Sequence, residues 1–227
     1  SDLELGELLV GICEQYRDVV RMLQHRGTKK FWEYSRKLYG SPQDTFFDEG
    51  SRISDLGRTL YGILSGIDDS TLGAEYPKNL EADAVVSELN SRFTQVFGPD
   101  RVHARMSDGI LADAAAGGDT VKIREGVKFS SRDIDILEVH EGWVHVGTTL
   151  NGNHQHVAKW LSKGPPRCSS TQEGLAVLME IFTFRSYPRR ARHINDRILG
   201  IEKAEEGANL LELIEFYRTE GYSEDES

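Results

Sequence analysis

Apolar positions in residues 3–26 recur at helical spacing through Leu5, Leu8, Leu9, Ile12, Cys13, Tyr16, Val19, Val20 and Leu23, and Gly27 is a natural stop. The pattern predicts a first helix. A second runs from Thr28 as N-cap to about Tyr39, ahead of Gly40-Ser41-Pro42, and its Phe31, Trp32, Leu38 and Tyr39 read as core. Helical patterns return at 53–64 and at 79–96, where Asn79 is a reasonable cap. The first hundred residues are mostly α.

The pattern changes after Gly98-Pro99-Asp100. Residues 101–106, 110–113 and 120–129 read as short strands, separated by Ser107-Asp108-Gly109 and Gly117-Gly118-Asp119. In the last, Val121 and Ile123 alternate with Lys122 and Arg124, which suits a sheet with one wet face. Ser130 or Ser131 then caps a helix with Asp133 as capping-box partner, and Ile134, Leu137, Trp143 and Val144 give that helix an apolar side. It ends at Asn151-Gly152-Asn153, and Gly164-Pro165-Pro166 breaks the connection to another apolar helix. A final amphipathic helix covers 208–220. Beyond it, Ser223-Glu224-Asp225-Glu226 reads as the capped start of a further helix, so the chain is expected to be C-terminally truncated. The expected division is a helical region at 1–98 and a catalytic region at 99–227.

The chemistry concentrates in Glu138-Val139-His140-Glu141-Gly142-Trp143-Val144-His145. Neutral imidazoles bind a borderline-soft metal, and an adjacent Glu can take a proton from metal-activated water. The familiar zinc spacing separates the two histidines by four positions, whereas here they stand five apart. In an ideal α-helix that puts them about 140° apart around the axis, against about 40° for four. A wide π-type turn would absorb the extra residue, and Gly142, a poor helix former, is a plausible place for it. Two ordinary histidines on an amphipathic helix are the competing reading.

Glu173 is a candidate third ligand, yet Ser170-x-x-Glu173 also fits a capping box, and spacing alone favours the cap. Glu180, seven residues on and so on the same helix face, could orient a ligand histidine or be a surface residue. His154 and His156 are weaker candidates as further ligands. Arg185, Arg189, Arg190, Arg192 and Arg197 form a run that reads first as a solvated face, although a bidentate Arg is the best-shaped donor for a substrate carboxylate. Lys122 and Arg124 are at least as good candidates for that substrate contact.

Composition narrows the setting. The chain of 227 residues is long enough for one sizeable core, and 38% hydrophobic with 28% charged residues is ordinary for a soluble globular protein. A formal net charge of −10 argues against a general nucleic-acid or anionic-membrane surface. The two cysteines, Cys13 and Cys168, make no disulfide framework, so a reduced, cytoplasmic setting is expected. No signal sequence and no run of eighteen apolar residues is seen, and no repeat, phosphate loop or nucleophile elbow.

Residues 134–184 contain H-E-G-W-V-H-V-G-T-T-L-N-G, then L-S-K-G-P-P, then T-Q-E-G-L-A-V-L-M-E-I-F-T-F. This stretch resembles the bacterial QEGLA-motif proteins catalogued as flavohemoglobin expression-modulating, a family similar in its core to the microtubule-associated tyrosine carboxypeptidases. Arg26 to Thr28 and Ser35 to Pro42 resemble it more loosely, while 153–156 and 167–168 depart from it. The resemblance implies an α+β, zincin-like metallopeptidase with a small antiparallel sheet and two ligand-bearing helices. It implies Zn2+ held by His140, His145 and Glu173, with Glu141 as general base on a zinc-bound water, and cleavage at or near a peptide or protein C-terminus. It does not imply tubulin as the substrate. In enzymes of that architecture an edge strand before the metal helix pairs with extended substrate, and 120–129 has that position. A non-catalytic zinc-binding regulatory protein and a hydrolase of non-peptide amides are the competing functions.

Overall fold

The computed structural model describes residues 2–45, 50–66 and 76–223. Two compact units emerge, one made of Ser1–Arg26 with Glu75–Ser186 and the other of Gly27–Ala74 with Tyr187–Ser227. Residue 98 lies within the first unit, where the helix before it packs on the sheet after it. Of the expected helix start at 223–226, residues 224–226 lie outside the described residues.

The first unit is built on α4 (Ala82–Phe97) and a three-stranded sheet of β1 (His103–Ser107), β2 (Ala114–Gly117) and β3 (Thr120–Arg124). Ala82, Val85, Leu89 and Phe93 repeat at helical spacing and are buried against Val121 and Ile123 of β3, with Ala104, Phe129, Ile134 and Val146 completing the core. Burying this apolar surface is what holds sheet and helices together. α4 begins three residues later than its pattern suggests. Leu80 instead exchanges backbone hydrogen bonds with Phe129, at 2.9 and 2.8 Å, which keeps the preceding segment extended.

The sheet is mixed, not antiparallel, with strand order β1-β3-β2. A tight turn at Gly118, which has φ +64°, makes β2 and β3 antiparallel, while β1 joins the far side of β3 in parallel. β3 is therefore the central strand, and its backbone is already paired on both sides. That corrects its expected role as a substrate-binding edge. β3 also ends at Arg124, and Gly126, at φ +79°, turns the chain toward Phe129. The second strand lies at 114–117 instead of 110–113, since Arg124 bonds the Leu111 carbonyl at 2.5 Å in an irregular loop. Its Ala-Ala-Ala-Gly sequence has little β-propensity to announce it.

Ser130 caps α5 (Ser131–Leu137) in the capping box the sequence predicts, with Asp133 N–H donating to its hydroxyl and the Asp133 carboxylate accepting from its backbone N–H. α5 runs without a break into a nine-residue π-helix, Glu138–Val146, and then α6 (Gly147–Asn153). After two 3-10 turns, Lys159–Lys163 and Pro166–Cys168, comes α7 (Ser169–Phe182). α1 (Asp2–Gln24) touches the second of those turns, where the Arg167 N–H donates to Gln15 Oε1 at 3.0 Å.

The second unit contains α2 (Lys29–Tyr39), α3 (Ile53–Ser65), α8 (Pro188–Glu205) and α9 (Leu210–Thr219). α3 and α8 pack closely at Gly57, and the Arg58 guanidinium pairs with Glu202 at 2.6 Å. Gly200 admits the Tyr217 ring of α9, and Asn209 caps α9 in a capping box with Glu212. Among the described residues no helix is long and apolar enough to cross a membrane.

Candidate metal centre

The π-helix is what brings the five-spaced histidines together. Gly147 N–H bonds back to Gly142 O, five residues earlier, and the wider winding stacks side chains that an α-helix would splay. The His140 and His145 rings lie with centroids 5.0 Å apart. Gly142 sits where the π-helix meets α4, and a methyl group there would overlap the Phe93 ring. So the glycine permits a close approach as well as an unusual winding.

α7 supplies the opposing carboxylate. It begins at Ser169 with Cys168 at its N-cap, two residues before the Ser170 that the capping box requires there, and no side chain caps it. Glu173 is thereby freed from the capping role and faces the histidines, one oxygen 3.4 Å from His140 Nε2 and the other 3.3 Å from His145 Nε2. These separations exceed those of strong N–H···O hydrogen bonds, about 2.7–3.2 Å. Ligands each held about 2.0–2.2 Å from one tetrahedral zinc lie about 3.4 Å apart. The two distances from the imidazoles to Glu173 are of that size.

The other ring nitrogens are also engaged. His140 Nδ1 lies 2.7 Å from Oε1 of Glu180, whose side chain is 0% exposed, and His145 Nδ1 lies 3.2 Å from Gln172 Oε1. With these oxygens accepting, each Nδ1 carries a hydrogen, and Nε2 is the nitrogen each ring turns toward Glu173 and would offer to a metal. Glu141 is half-buried beside them, and one ligand atom from each of His140, Glu141 and His145 lies within 4.8 Å of the others.

Without an ion the cluster is strongly coupled. Burial opposes charge on His140, but Glu173 and Glu180 outweigh it and push its pKa up to about 9. Glu173 raises His145 against its burial, with Gln172 and Glu141 adding to the effect. The two imidazoles in turn hold the Glu173 carboxyl well below the usual range. A divalent cation would take the place of the protons.

The remaining candidates lie elsewhere. Lys122 and Arg124 occupy the sheet face opposite Val121 and Ile123, hence away from the helices, and Arg124 is 3.6 Å from Asp113. Arg185 stacks on Trp143 at 5.0 Å and bonds buried Glu138 at 2.8 Å, bracing the π-helix. Arg192 pairs with Glu220 within the second unit. His154 Nδ1 is taken by the Leu150 carbonyl at 2.6 Å, and neither it nor His156 belongs to the cluster. Gln172 is the site residue that sequence reading passed over. Its signal was adjacency to Glu173 on the helix face turned toward the histidines.

Two histidines and a glutamate converging beside a second glutamate define a candidate metal-binding cluster on a mixed, predominantly helical fold. A family model described as microtubule-associated tyrosine carboxypeptidase matches residues 1–227, and the chain belongs to that family. No curated protein and no solved structure matches it.

Proposed function

We propose that this chain is a zinc-dependent carboxypeptidase acting at or near peptide C-termini. Family membership supports carboxypeptidase-like activity. The observation that carries the zinc reading is the convergence of His140 Nε2, His145 Nε2 and the Glu173 carboxylate at 3.3–3.4 Å, beside Glu141. His140, His145 and Glu173 would hold the ion. When bound, zinc supplies Lewis acidity toward a scissile carbonyl and an attacking water.

The chain's own residues do the rest. Glu141 accepts a proton from the attacking water and returns it to the leaving amine. Glu180 and Gln172 fix the ring orientations and tautomers. An extended substrate pairs with a sheet margin, and β2 is the candidate strand: among the described residues it pairs with β3 alone, and it packs against the π-helix. The opposite margin is occupied, since the Asn90 amide both donates to Ala104 O at 3.0 Å and accepts from Ala104 N–H at 2.9 Å. A peptide laid along β2 would lie beside the helix that carries the histidines.

The test compares Glu141→Gln and His145→Ala with the parent chain, on peptides ending in Tyr and on a mixed peptide library read by mass spectrometry, with metal content measured on the same samples. Glu141→Gln should keep the metal and lose about 10²- to 10⁴-fold in turnover, the worth of a general base. His145→Ala should lose the metal. Parent-level peptidase activity in Glu141→Gln overturns the assignment.

A further inference from the structure

The two histidines have unlike partners behind them, and the difference is one of charge. Behind His140 stands a carboxylate, Glu180, at 2.7 Å, whose side chain is fully buried. Behind His145 stands an amide, Gln172, at 3.2 Å. Both acceptors lie on α7, the helix that also carries Glu173, and Glu173 and Glu180 are spaced seven apart on one face. A single helix thus presents one group to the common point and holds the ring behind each of the other two.

Orientation alone does not account for Glu180. A neutral oxygen suffices to fix a tautomer, as Gln172 does. Taking a carboxylate fully out of water costs several kcal/mol unless charge or strong hydrogen bonds compensate it. The short distance to His140 is that of a charge-assisted bond. A carboxylate accepting from Nδ1–H increases electron density at Nε2 and makes the ring a more basic ligand, which an amide does only weakly.

We infer that Glu180 is a positioning residue whose negative charge makes His140 the dominant anchor of the ion, while Gln172 only orients His145. The inference rests on the zinc reading above, and goes beyond it by ranking the ligands and assigning the cause. If charge is the agent, removing it at 180 and adding it at 172 must act in opposite directions. A purely structural role predicts no such opposition, because Glu180→Gln keeps the shape and an acceptor oxygen.

The experiment measures zinc affinity of the full chain by competition with a chromophoric chelator, for the parent, Glu180→Gln and Gln172→Glu. It is paired with the visible spectrum of the Co2+-substituted proteins and the melting of each metal-free chain. Glu180→Gln should weaken zinc binding about 10- to 100-fold, and Gln172→Glu should tighten it. The Co2+ bands should shift in both, with metal-free melting near that of the parent. Glu180→Gln binding zinc as tightly as the parent overturns the inference and leaves the metallopeptidase reading intact, as does Gln172→Glu failing to tighten it. Absence of zinc binding by the parent instead overturns the reading beneath both. Gln172→Glu keeps the question answerable if Glu180→Gln fails to fold.

Discussion

Gly142 stands between the candidate metal site and the packed core. Its neighbours Glu141 and Trp143 face the site and Arg185 respectively, while its own backbone presses on Phe93 at the centre of the core. Gly142→Ala should cost about 1–3 kcal/mol through overpacking, seen as a lower melting temperature of the metal-free chain. Zinc affinity should fall with it, since displacing the π-helix moves both ligands. An unchanged melting temperature would show that Phe93 yields freely. At this scale the sequence was only partly readable. The pair His140 and His145 with Glu141 stood out, but Glu173 had two credible roles, and whether it caps α7 turned on a shift of two residues in where that helix begins, which spacing cannot resolve. For Lys122 and Arg124 the sequence was legible only as far as the sheet face. Alternation correctly put them on the wet face, yet which face looks toward the histidines depends on the packing of α4 and the π-helix.

Among the elements, helices declared themselves well, because buried positions such as Ala82, Val85, Leu89 and Phe93 keep their period whatever they pack against. The short strands did not. β2 is three alanines and a glycine, and β3 became central through a parallel pairing between residues seventeen apart, such as His103 with Thr120, which local pattern does not record. The inserted residue in the histidine motif led to an expectation of one wide turn. The structure spreads the change over Glu138–Val146. Nine residues of π winding are costly, since π-helices are otherwise mostly single-turn bulges, and bridging of the two histidines by a shared cation would favour that winding over rewinding to α. Amide hydrogen exchange should therefore slow in 138–146 when zinc is added to the chelator-treated protein, while the amides of α4 change much less. Equal exchange in that segment with and without metal would sever the link between ion and winding.

For the whole molecule, the sequence reads as one acidic chain, and the units of the structure were not visible in it because each is assembled from separated stretches. The second unit keeps a carboxylate in its interior. Asp196 is 0% exposed; burial raises its pKa above the ordinary 3.8, the Tyr222 hydroxyl at 3.1 Å lowers it in part, and Glu220 raises it again against Arg192. An acid whose pKa rises on folding binds its proton more tightly in the folded state. Stability is then lost as pH climbs from 3.8 through the raised value. Asp196→Asn removes that loss, so its melting temperature should gain on the parent's as pH rises above 3.8. A difference that is flat in pH would mean that Asp196 is compensated in both charge states.

The interleaving of the two units also limits how the molecule can be dissected. The polypeptide leaves the first unit after Arg26, returns at Glu75 and leaves again after Ser186, so a protease nick at any one crossing severs a strand of connectivity without liberating either body whole. Expression of 75–186 alone would carry every proposed zinc ligand but omit α1, whose Gln15 holds the Arg167 backbone just before α7. Shortened versions meant to isolate the chemistry must keep the first twenty-six residues, joined by a new linker across the gap.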